Sequence, residues 1–477
     1  MAAASDLIAR SACEIIDLLN TQAVSPHELL DVLEQRVAEV DPAINALPTL
    51  CFDRARKAAD EIVKRPKGER GILAGMPVPI KDLTEVAGVR STHGSPIFAD
   101  LIPEASDILV ERLEAEGGII YAKSNTPEFG AGAQTFNEVF GATRNPWNLS
   151  RSAAGSSGGA AAALASGMAW LAHGSDMGGS LRNPASFCGV VGLRPSPGRV
   201  ATTPGSIIDD TLSTEGPMAR NVEDVALFLD AMTGQDRRDM RSMPKPAQSF
   251  LEAARSRRAP RKIAFSPDLG ITPVEPEVAE ICRKAAYRFA EAGVIVEEAC
   301  PDLSEAHECF QTLRARNFLI GLGAHYRERR SLLKPEVIWN IEQGMKLTAA
   351  YIARAEAQRA ALFKRMVAFF GDYDLLLCPA TITSPFPVEQ RYLAACNGQA
   401  FETYIHWLAI VYAITLVSSP AISIPAGFTA EGLPVGLQIV APPRGEAELL
   451  AAANVLEDIL GLRNITPIDP RPEQGRS

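Results

Sequence analysis

The sequence lacks an apolar run long enough to cross a membrane as a helix. Its most apolar window, residues 405–417, contains His406 and is shorter than the roughly 20 residues that a spanning helix needs. Residues 1–20 also lack a basic segment followed by an apolar one, because Glu14 and Asp17 interrupt their apolar character. We therefore predict no membrane partner and a cytoplasmic protein. A buried helix is expected at 405–417, and a membrane-surface contact or an apolar pocket wall is the alternative.

The sequence is also short of basic charge and of paired cysteines. Its 57 Asp and Glu residues outnumber its 47 Lys and Arg residues, so the formal net charge is -10. A nucleic-acid surface needs a basic stripe, whereas only Arg327, Arg329 and Arg330 cluster here. We therefore expect no nucleic acid as a partner. The eight cysteines form no C-x-x-C pair, which indicates neither a zinc site nor a disulfide framework and favours a reducing compartment.

Apolar residues are plentiful, and their pattern predicts alternating helices and strands. Hydrophobic residues make up 47% of the chain, which is typical of a protein with a large core. Ser25-Pro26-His27-Glu28 predicts the start of a helix through about Val40, and Asp41-Pro42 is expected to end it. The short apolar segment 75–82 predicts a strand with Lys81 at its end.

The same alternation continues along the chain. Ser106 is expected to cap a helix to about Glu116, and a strand is expected at 119–122. Later segments predict a charged helical layer from 275 to 372, strands at 374–380, 420–426 and 435–440, and a closing helix at 446–460. This pattern favours an α/β chain with a largely parallel or mixed sheet.

Two serines lie in separate glycine-rich loops, at 155–159 and 174–184. Ser156 is in the first loop and Ser180 in the second. A serine that attacks an acyl carbon needs a base to accept its proton and N–H donors to hold the oxyanion. The two glycines directly before Ser180 leave room for several backbone amides to point at one oxygen.

The run from Ala154 to Pro184 resembles the signature of the amidase signature family. Members carry a Gly-Gly-Ser-Ser-Gly-Gly loop followed, at a fixed distance, by a Gly-Gly-Ser-Ile/Leu-Arg segment, and Ser156 and Ser180 keep that distance. Further segments also resemble landmarks of the family: 77–83, 125–129, 145–148, 216–220 and 432–436.

The resemblance implies the amidase signature fold, with a mixed twisted β-sheet core wrapped by α-helices. It implies one amidase domain over residues 1–477. Its expected parts are an N-terminal helical region at about 1–70, a signature core at about 71–240, a variable helical layer that forms the substrate pocket at about 275–372, and a C-terminal sheet and helix at about 373–465.

Carried over position by position, the resemblance implies a catalytic triad. Ser180 corresponds to the nucleophile, Ser156 to a bridging serine that follows a cis peptide bond, and Lys81 to the general base. The implied oxyanion donors, which also bind substrate, are the backbone amides of Met177, Gly178, Gly179 and Ser180. The implied supporting side chains are Ser157, Asp176 and Arg182.

A lysine base requires a dry environment. Lysine in water has a pKa of about 10.4, so Lys81 is expected to be buried, where its neutral form is favoured. Asp82 follows it directly and is expected to point to the other side of the strand. Neutral Lys81 could then accept a proton from Ser156 while Ser156 accepts one from Ser180.

The implied activity is hydrolysis of a small-molecule carboxamide, with anilides, carbamates and amide oligomers also within the family's range. No metal or organic cofactor is expected, and a homodimer is left open. Two other functions are alternatives: the glutaminase subunit of an aminoacyl-tRNA amidotransferase, and a non-catalytic binding relative.

Some residues have competing interpretations. The pattern G-x-S-x-G at 155–159 would make Ser157 the nucleophile of a different hydrolase type. His173 stands where the family more often has an apolar residue, and we expect a hydrogen-bonded core histidine, with a pocket role as the alternative. Cys309 is expected to be a small buried side chain. Thr415 and Ser418 replace residues found in many relatives, so no substrate contact is inferred there.

Overall fold

The computed structural model describes residues 4–472 of the chain. Its helices are α1 (Ala4–Ala9), α2 (Ala12–Thr21), α3 (Pro26–Ile44), α4 (Phe52–Lys64), α5 (Ile108–Ala115), α6 (Gly158–Ala165), α7 (Arg182–Cys188), α8 (Val222–Met232), α9 (Phe250–Arg255), α10 (Pro276–Tyr287), α11 (Ala306–Arg329), α12 (Pro335–Met345), α13 (Ala349–Phe369), α14 (Ala409–Leu416) and α15 (Glu446–Leu460). Its strands are β1 (Thr49–Leu50), β2 (Pro77–Lys81), β3 (Ile119–Ser124), β4 (Phe136–Asn137), β5 (Gly141–Ala142), β6 (Arg144–Asn145), β7 (Asn148–Ser152), β8 (Leu171–Asp176), β9 (Val191–Arg194), β10 (Thr214–Ala219), β11 (Lys262–Phe265), β12 (Ile295–Glu298), β13 (Leu375–Pro379), β14 (Ala395–Cys396), β15 (Gln399–Ala400), β16 (Ala421–Phe428) and β17 (Pro434–Val440).

A mixed sheet of eight strands forms the centre of the fold. The strand order is β12-β11-β13-β17-β16-β9-β10-β8. Strand β11 runs parallel to both of its neighbours, and the remaining neighbours pair antiparallel. This arrangement confirms the prediction of an α/β fold with a mixed sheet wrapped by helices.

A smaller sheet carries the lysine. Its three strands have the order β1-β3-β2, and β2 runs parallel to β3. Strand β2 ends at Lys81, as predicted, and every residue of β2 and β3 is buried. Helix α6 packs against β2, β3 and β8. Since β8 is an edge strand of the large sheet and also packs directly against β2, the two sheets meet beside α6.

The predicted start of α3 is confirmed, whereas its predicted end is wrong. The Ser25 side chain accepts the N–H of Glu28, and the Glu28 side chain accepts the N–H of Ser25, which is the predicted capping box. The helix does not end at Asp41-Pro42 but continues to Ile44. Pro42 lies in the last turn, where a missing N–H removes only one main-chain hydrogen bond.

The predicted N-cap of α5, Ser106, is also wrong by one residue. Helix α5 begins at Ile108, and the side chain of Asp107 accepts the N–H of Leu109. Ser106 instead accepts the N–H of Ala87 through Oγ at 2.9 Å. A carboxylate and a hydroxyl both satisfy free N–H groups at a helix start, so the sequence alone does not choose between these neighbours.

The region 275–372 is largely helical, as predicted, and contains α10 to α13. It also contains β12, an edge strand of the large sheet that the sequence prediction missed. The predicted buried helix near 405–417 is α14, and all of its residues are buried. Within residues 4–472, no helix combines the length and the apolar character needed to cross a bilayer.

Candidate active site

Lys81 lies at the centre of a group of serine hydroxyls. Its side chain is fully buried, and its Nζ lies 2.7 Å from Ser156 Oγ, 2.9 Å from Ser157 Oγ and 3.0 Å from Ser175 Oγ. The structure therefore brings together the lysine of one sheet and the serines of both glycine-rich loops. Ser175 was not among the predicted site residues.

The environment of Lys81 favours its neutral form. Burial lowers the pKa of Lys81 from its ordinary value of 10.5 to about 7, although the nearby charges of Glu215 and Asp176 oppose this shift. Asp82 does not contribute to the site, because it pairs with Lys123 across the other side of the strand, with 3.2 Å between Nζ and Oδ1. Near neutral pH, Lys81 can therefore accept a proton from a neighbouring hydroxyl.

Ser156 connects the lysine to a small cavity. The peptide bond between Gly155 and Ser156 is cis, as the resemblance implies. Ser156 is 3% exposed and lines a cavity of about 80 Å³ together with Ser180. Gly130 forms part of the wall, where a Cβ atom would lie 3.4 Å from Ser156 Oγ. The distance to the hydroxyl is an ordinary contact, but a larger residue would be strained by the φ of +67° and would lie only 3.0 Å from Leu83 Cδ1.

Ser180 is partly exposed in this cavity, as a nucleophile must be. Its carbonyl oxygen accepts the N–H of Ser157 at 3.2 Å, which holds the two loops together. Among the described residues, no hydrogen bond joins the hydroxyls of Ser180 and Ser156. The lysine and the bridging serine are thus in contact, whereas the expected contact between the two serines is not formed in this structure.

Ser157 does not line the cavity. It is fully buried, and its Oγ contacts Lys81 Nζ and accepts the N–H of Ser175 at 3.3 Å. A nucleophile must reach its substrate, so this placement argues against Ser157 as the attacking group. The predicted supporting position of Ser157 agrees with these contacts.

One of the expected oxyanion donors has another partner. The N–H of Gly179 donates to Asp176 Oδ1 at 2.9 Å, so it is not free to hold an oxyanion in this structure. In this structure the carboxylate that fixes the loop uses this amide, and the role of Gly179 as an oxyanion donor stays a prediction. Met177, Gly178 and Ser180 supply the remaining backbone amides of the loop.

Asp176 and two arginines fix the loop that carries Ser180. Arg182 donates to Asp176 through Nη2 at 2.8 Å and through Nε at 3.0 Å, and Arg194 donates to it at 3.3 Å. All three side chains are fully buried. Burial alone would raise the pKa of Asp176, but the charges of Arg182 and Arg194 outweigh it and hold the pKa well below its usual value. Asp176 therefore stays ionised and keeps its contacts to the loop.

His173 is a hydrogen-bonded core residue, as expected. It is fully buried, its Nδ1 accepts the backbone N–H of Lys81 at 3.3 Å, and its Nε2 lies 2.7 Å from Glu215 Oε2. Because Nδ1 accepts, the proton of the neutral ring lies on Nε2 and is donated to Glu215. His173 thus connects the main chain at Lys81 with a carboxylate on β10.

Two further residues of this site could not be identified from the sequence, because only the pairing of two distant strands brings them here. Ser175 on β8 and Glu215 on β10 are direct partners in the antiparallel register of the large sheet. No local sequence pattern shows which residues of two separate strands will pair. Ser175 could have been noted only from its place directly before Asp176.

A larger cavity adjoins the small one. It has a volume of about 610 Å³ and shares Leu83, Met177 and Ser213 with the small cavity. Its lining includes four acidic residues, Glu85, Asp107, Asp210 and Glu215, and also Arg241, whose charge is paired with Asp239. The two cavities differ in charge, because the small one is lined by Arg314 and, in the described part of the chain, by no other charged side chain.

Comparison with known proteins gives consistent matches over nearly the whole chain. The model of the Amidase family matches residues 28–450. An acylamidase from Rhodococcus erythropolis is 36% identical over 469 residues, which covers 96% of this chain and 97% of that protein. A glutamyl-tRNA(Gln) amidotransferase subunit from Moorella thermoacetica is 34% identical over 473 residues, covering 94% of this chain and 96% of that protein. The crystal structure of a bacterial aryl acylamidase of the amidase signature family superimposes with a TM-score of 0.88 at 28% identity, covering 96% of this chain and 99% of that one.

Proposed function

The chain belongs to the amidase family and is an amide-hydrolysing enzyme, and on that premise we propose that Ser180, Ser156 and Lys81 act as its catalytic triad on a small-molecule carboxamide. The observation that carries this proposal is the 2.7 Å contact between Lys81 Nζ and Ser156 Oγ, made by a lysine whose burial lowers its pKa to about 7. The relatives named acylamidase and aryl acylamidase favour an N-acylated amine, including anilides, as the substrate class. Carbamates and amide oligomers stay within the proposed range.

In the proposed first half-reaction, neutral Lys81 accepts the proton of Ser156, and Ser156 accepts the proton of Ser180. Ser180 Oγ forms a bond to the carbonyl carbon, and the oxygen of that carbonyl becomes negatively charged. The backbone amides of Met177, Gly178 and Ser180 are the proposed donors to this oxyanion, since such donors act where charge develops. When the C–N bond breaks, the proton held by Lys81 returns through Ser156 to the leaving nitrogen.

The second half-reaction repeats these steps with water. A water molecule gives a proton to the same relay and attacks the acyl carbon, and the bond to Ser180 Oγ breaks as that oxygen regains its proton. The products are a carboxylic acid and an amine, or ammonia when the substrate is a primary amide. Lys81 is neutral at the start and at the end of the cycle.

We expect a fluorophosphonate probe to label Ser180, at a rate that rises with pH and levels off above a midpoint near pH 7. Neutral Lys81 is the active form, so the rate should fall about tenfold for each pH unit well below the midpoint. Peptide mapping by mass spectrometry and labelling rates between pH 5 and pH 9, roughly two units on either side of that midpoint, measure both features. Heat-unfolded protein is the control for non-specific labelling. Labelling at Ser157, or a rate that does not change with pH, would contradict the proposed triad.

Glu215→Gln should move this midpoint to lower pH. The Glu215 carboxylate raises the pKa of Lys81 against the effect of burial, so removing its charge lets that pKa fall further. Glutamine can still accept the hydrogen bond from His173, which preserves the local geometry. Glu85→Gln is the matched control, because Glu85 lines the same large cavity but is not among the charges that act on Lys81. Equal shifts in both variants would show that Glu215 has no specific effect on the base.

A second candidate function comes from the 34% identity to the amidotransferase subunit of Moorella thermoacetica. In that case the chain would release ammonia from glutamine only together with partner subunits and charged tRNA. Residues 125–129 favour the free-standing enzyme, because their sequence resembles the free-standing amidases. Hydrolysis of simple amides by the isolated chain would exclude the dependence on partners.

Three earlier expectations stay predictions. They are the single amidase domain over residues 1–477, the cytoplasmic location, and the homodimer that the sequence leaves open. The alternative of a non-catalytic binding relative is not retained, because the chain is an amide-hydrolysing enzyme.

A further inference from the structure

The small cavity contains a buried arginine that has no acidic partner among the residues that the structure describes. Arg314 of α11 is 5% exposed and lines the cavity with Ser156 and Ser180. Within the described residues, no carboxylate oxygen lies within 4.0 Å of its guanidinium group. By contrast, the buried arginines that hold the Ser180 loop both pair with Asp176.

The contacts of Arg314 leave much of its donor capacity unused. Nε donates to Asn340 Oδ1 at 3.2 Å, and Nη2 donates to Tyr404 Oη at 3.0 Å. Among residues 4–472, Nη1 has only the Met177 sulfur as a hydrogen-bond partner, at 3.5 Å, and a thioether is a weak acceptor. The guanidinium group also lies 4.4 Å over the Phe318 ring, which attracts a cation but does not neutralise it.

A buried charge without an ionic partner is unfavourable unless something else in the site supplies the opposite charge. The Nη1 edge of Arg314 points towards the loop that carries Ser180, because Met177 belongs to that loop. A planar guanidinium fits the two oxygens of a carboxylate. An anionic group of the substrate would therefore find an unsatisfied donor close to the reacting centre.

We propose that Arg314 binds a carboxylate on the acyl part of the substrate. The enzyme then selects half-amides of dicarboxylic acids, in which one carboxyl group is free and the other is the amide that is cleaved. This rests on the proposed function of the Ser180 site.

The charge of the two cavities decides which part of the substrate carries the carboxylate. The large cavity is lined by Glu85, Asp107, Asp210 and Glu215, which would repel an anion, whereas the amine product is compatible with them. Arg241 also lines this cavity, but its charge is paired with Asp239 at 3.0 Å. The acyl part, which stays bonded to Ser180, therefore lies on the side of Arg314.

The experiment compares 4-amino-4-oxobutanoate with 4-methylpentanamide, a neutral amide of nearly the same shape. We expect kcat/KM of the wild-type enzyme to favour the carboxylate substrate by about 10²-fold, as a charged hydrogen bond within a buried site permits. Arg314→Gln should remove this preference, because it lowers kcat/KM for the carboxylate substrate far more than kcat/KM for the neutral amide. Arg314→Lys should restore part of it, because the charge returns without the planar pair of donors.

Arg316→Gln is the matched control. Arg316 lies on the same helix, but its Nη1 pairs with Glu356 at 2.7 Å, outside the small cavity. Arg316→Gln removes the same charge and should leave the preference for the carboxylate substrate unchanged. Equal losses for both substrates in Arg314→Gln would show a structural role and overturn the proposal, as would a wild-type enzyme that cleaves the neutral amide equally well.

A binding measurement covers the case of slow turnover. We expect 4-amino-4-oxobutanoate to protect Ser180 from the fluorophosphonate probe in the wild-type enzyme and not in Arg314→Gln. If the carboxylate is neither cleaved nor protective while Ser180 is still labelled, the proposal for Arg314 is wrong and the triad stands. If Ser180 is not labelled at all, the proposed function itself fails.

Discussion

Ser180→Ala is expected to lower kcat for amide hydrolysis by roughly 10⁵- to 10⁶-fold, because loss of a serine nucleophile removes the whole covalent pathway. Ser180 lines the small cavity together with the bridging serine, and no other described serine is both partly exposed there and placed in the loop of candidate oxyanion donors. Release of amine or ammonia measures the change. Circular dichroism and thermal unfolding show whether the variant keeps its fold.

Ser157→Ala is the informative comparison for this variant. Ser157 Oγ is one of three hydroxyls around Lys81 Nζ, so its loss should reduce kcat by no more than about 10²-fold. It should leave probe labelling at Ser180. The triad would be wrong if Ser157→Ala removed activity and labelling completely while Ser180→Ala retained both.

Lys81→Met should lower kcat by about 10²- to 10⁴-fold, which is the range for loss of a positioned base. Lys81→Arg should not restore activity, because a guanidinium group does not lose its proton in proteins. Initial rates measured at the pH optimum of the wild-type enzyme test both variants. Recovery of activity in Lys81→Arg would mean that the positive charge, and not proton transfer, is what the site needs.

Lys123→Met provides a control with a second buried lysine. Lys123 lies on the adjacent strand and pairs with Asp82 at 3.2 Å, and both side chains are almost fully buried. Its removal leaves a buried carboxylate without its partner, which should cost about 3–5 kcal/mol of the free energy of unfolding. Lys81→Met should lower the rate with little loss of stability, because Lys81 contacts hydroxyls and no carboxylate within 4.0 Å in the described part of the chain. The two variants thus separate the catalytic lysine from the structural one.

The sequence was sufficient to predict the parts of the site that depend on local pattern. The strand that ends at Lys81 is short, apolar and bounded by prolines, so its end was visible in the sequence. The burial of Lys81 followed from the chemistry assigned to it, since a lysine base must be kept dry. The opposite direction of Asp82 followed from the alternation of side chains along a strand.

The remaining parts depend on how distant segments meet. Glu215 reaches the site only through the register between β8 and β10, and Arg314 reaches it only because α11 packs beside the Ser180 loop. The hydrogen bond from Gly179 to Asp176 depends on the path of the backbone in an irregular loop. Periodicity and motif spacing contain none of this information.

The fixing of the Ser180 loop has a consequence for the chain while it is being synthesised. Arg182, which holds Asp176, also donates to Gln438 Oε1 at 2.5 Å and to the Val411 carbonyl at 2.9 Å. A ribosome-bound chain that ends before Gln438 already contains Lys81, Ser156 and Ser180 but not the strand that completes their support. Proteins are made from the N-terminus, so the enzyme is expected to gain activity only when β17 has emerged and paired. Activity in this protein therefore reports that almost the entire chain has folded.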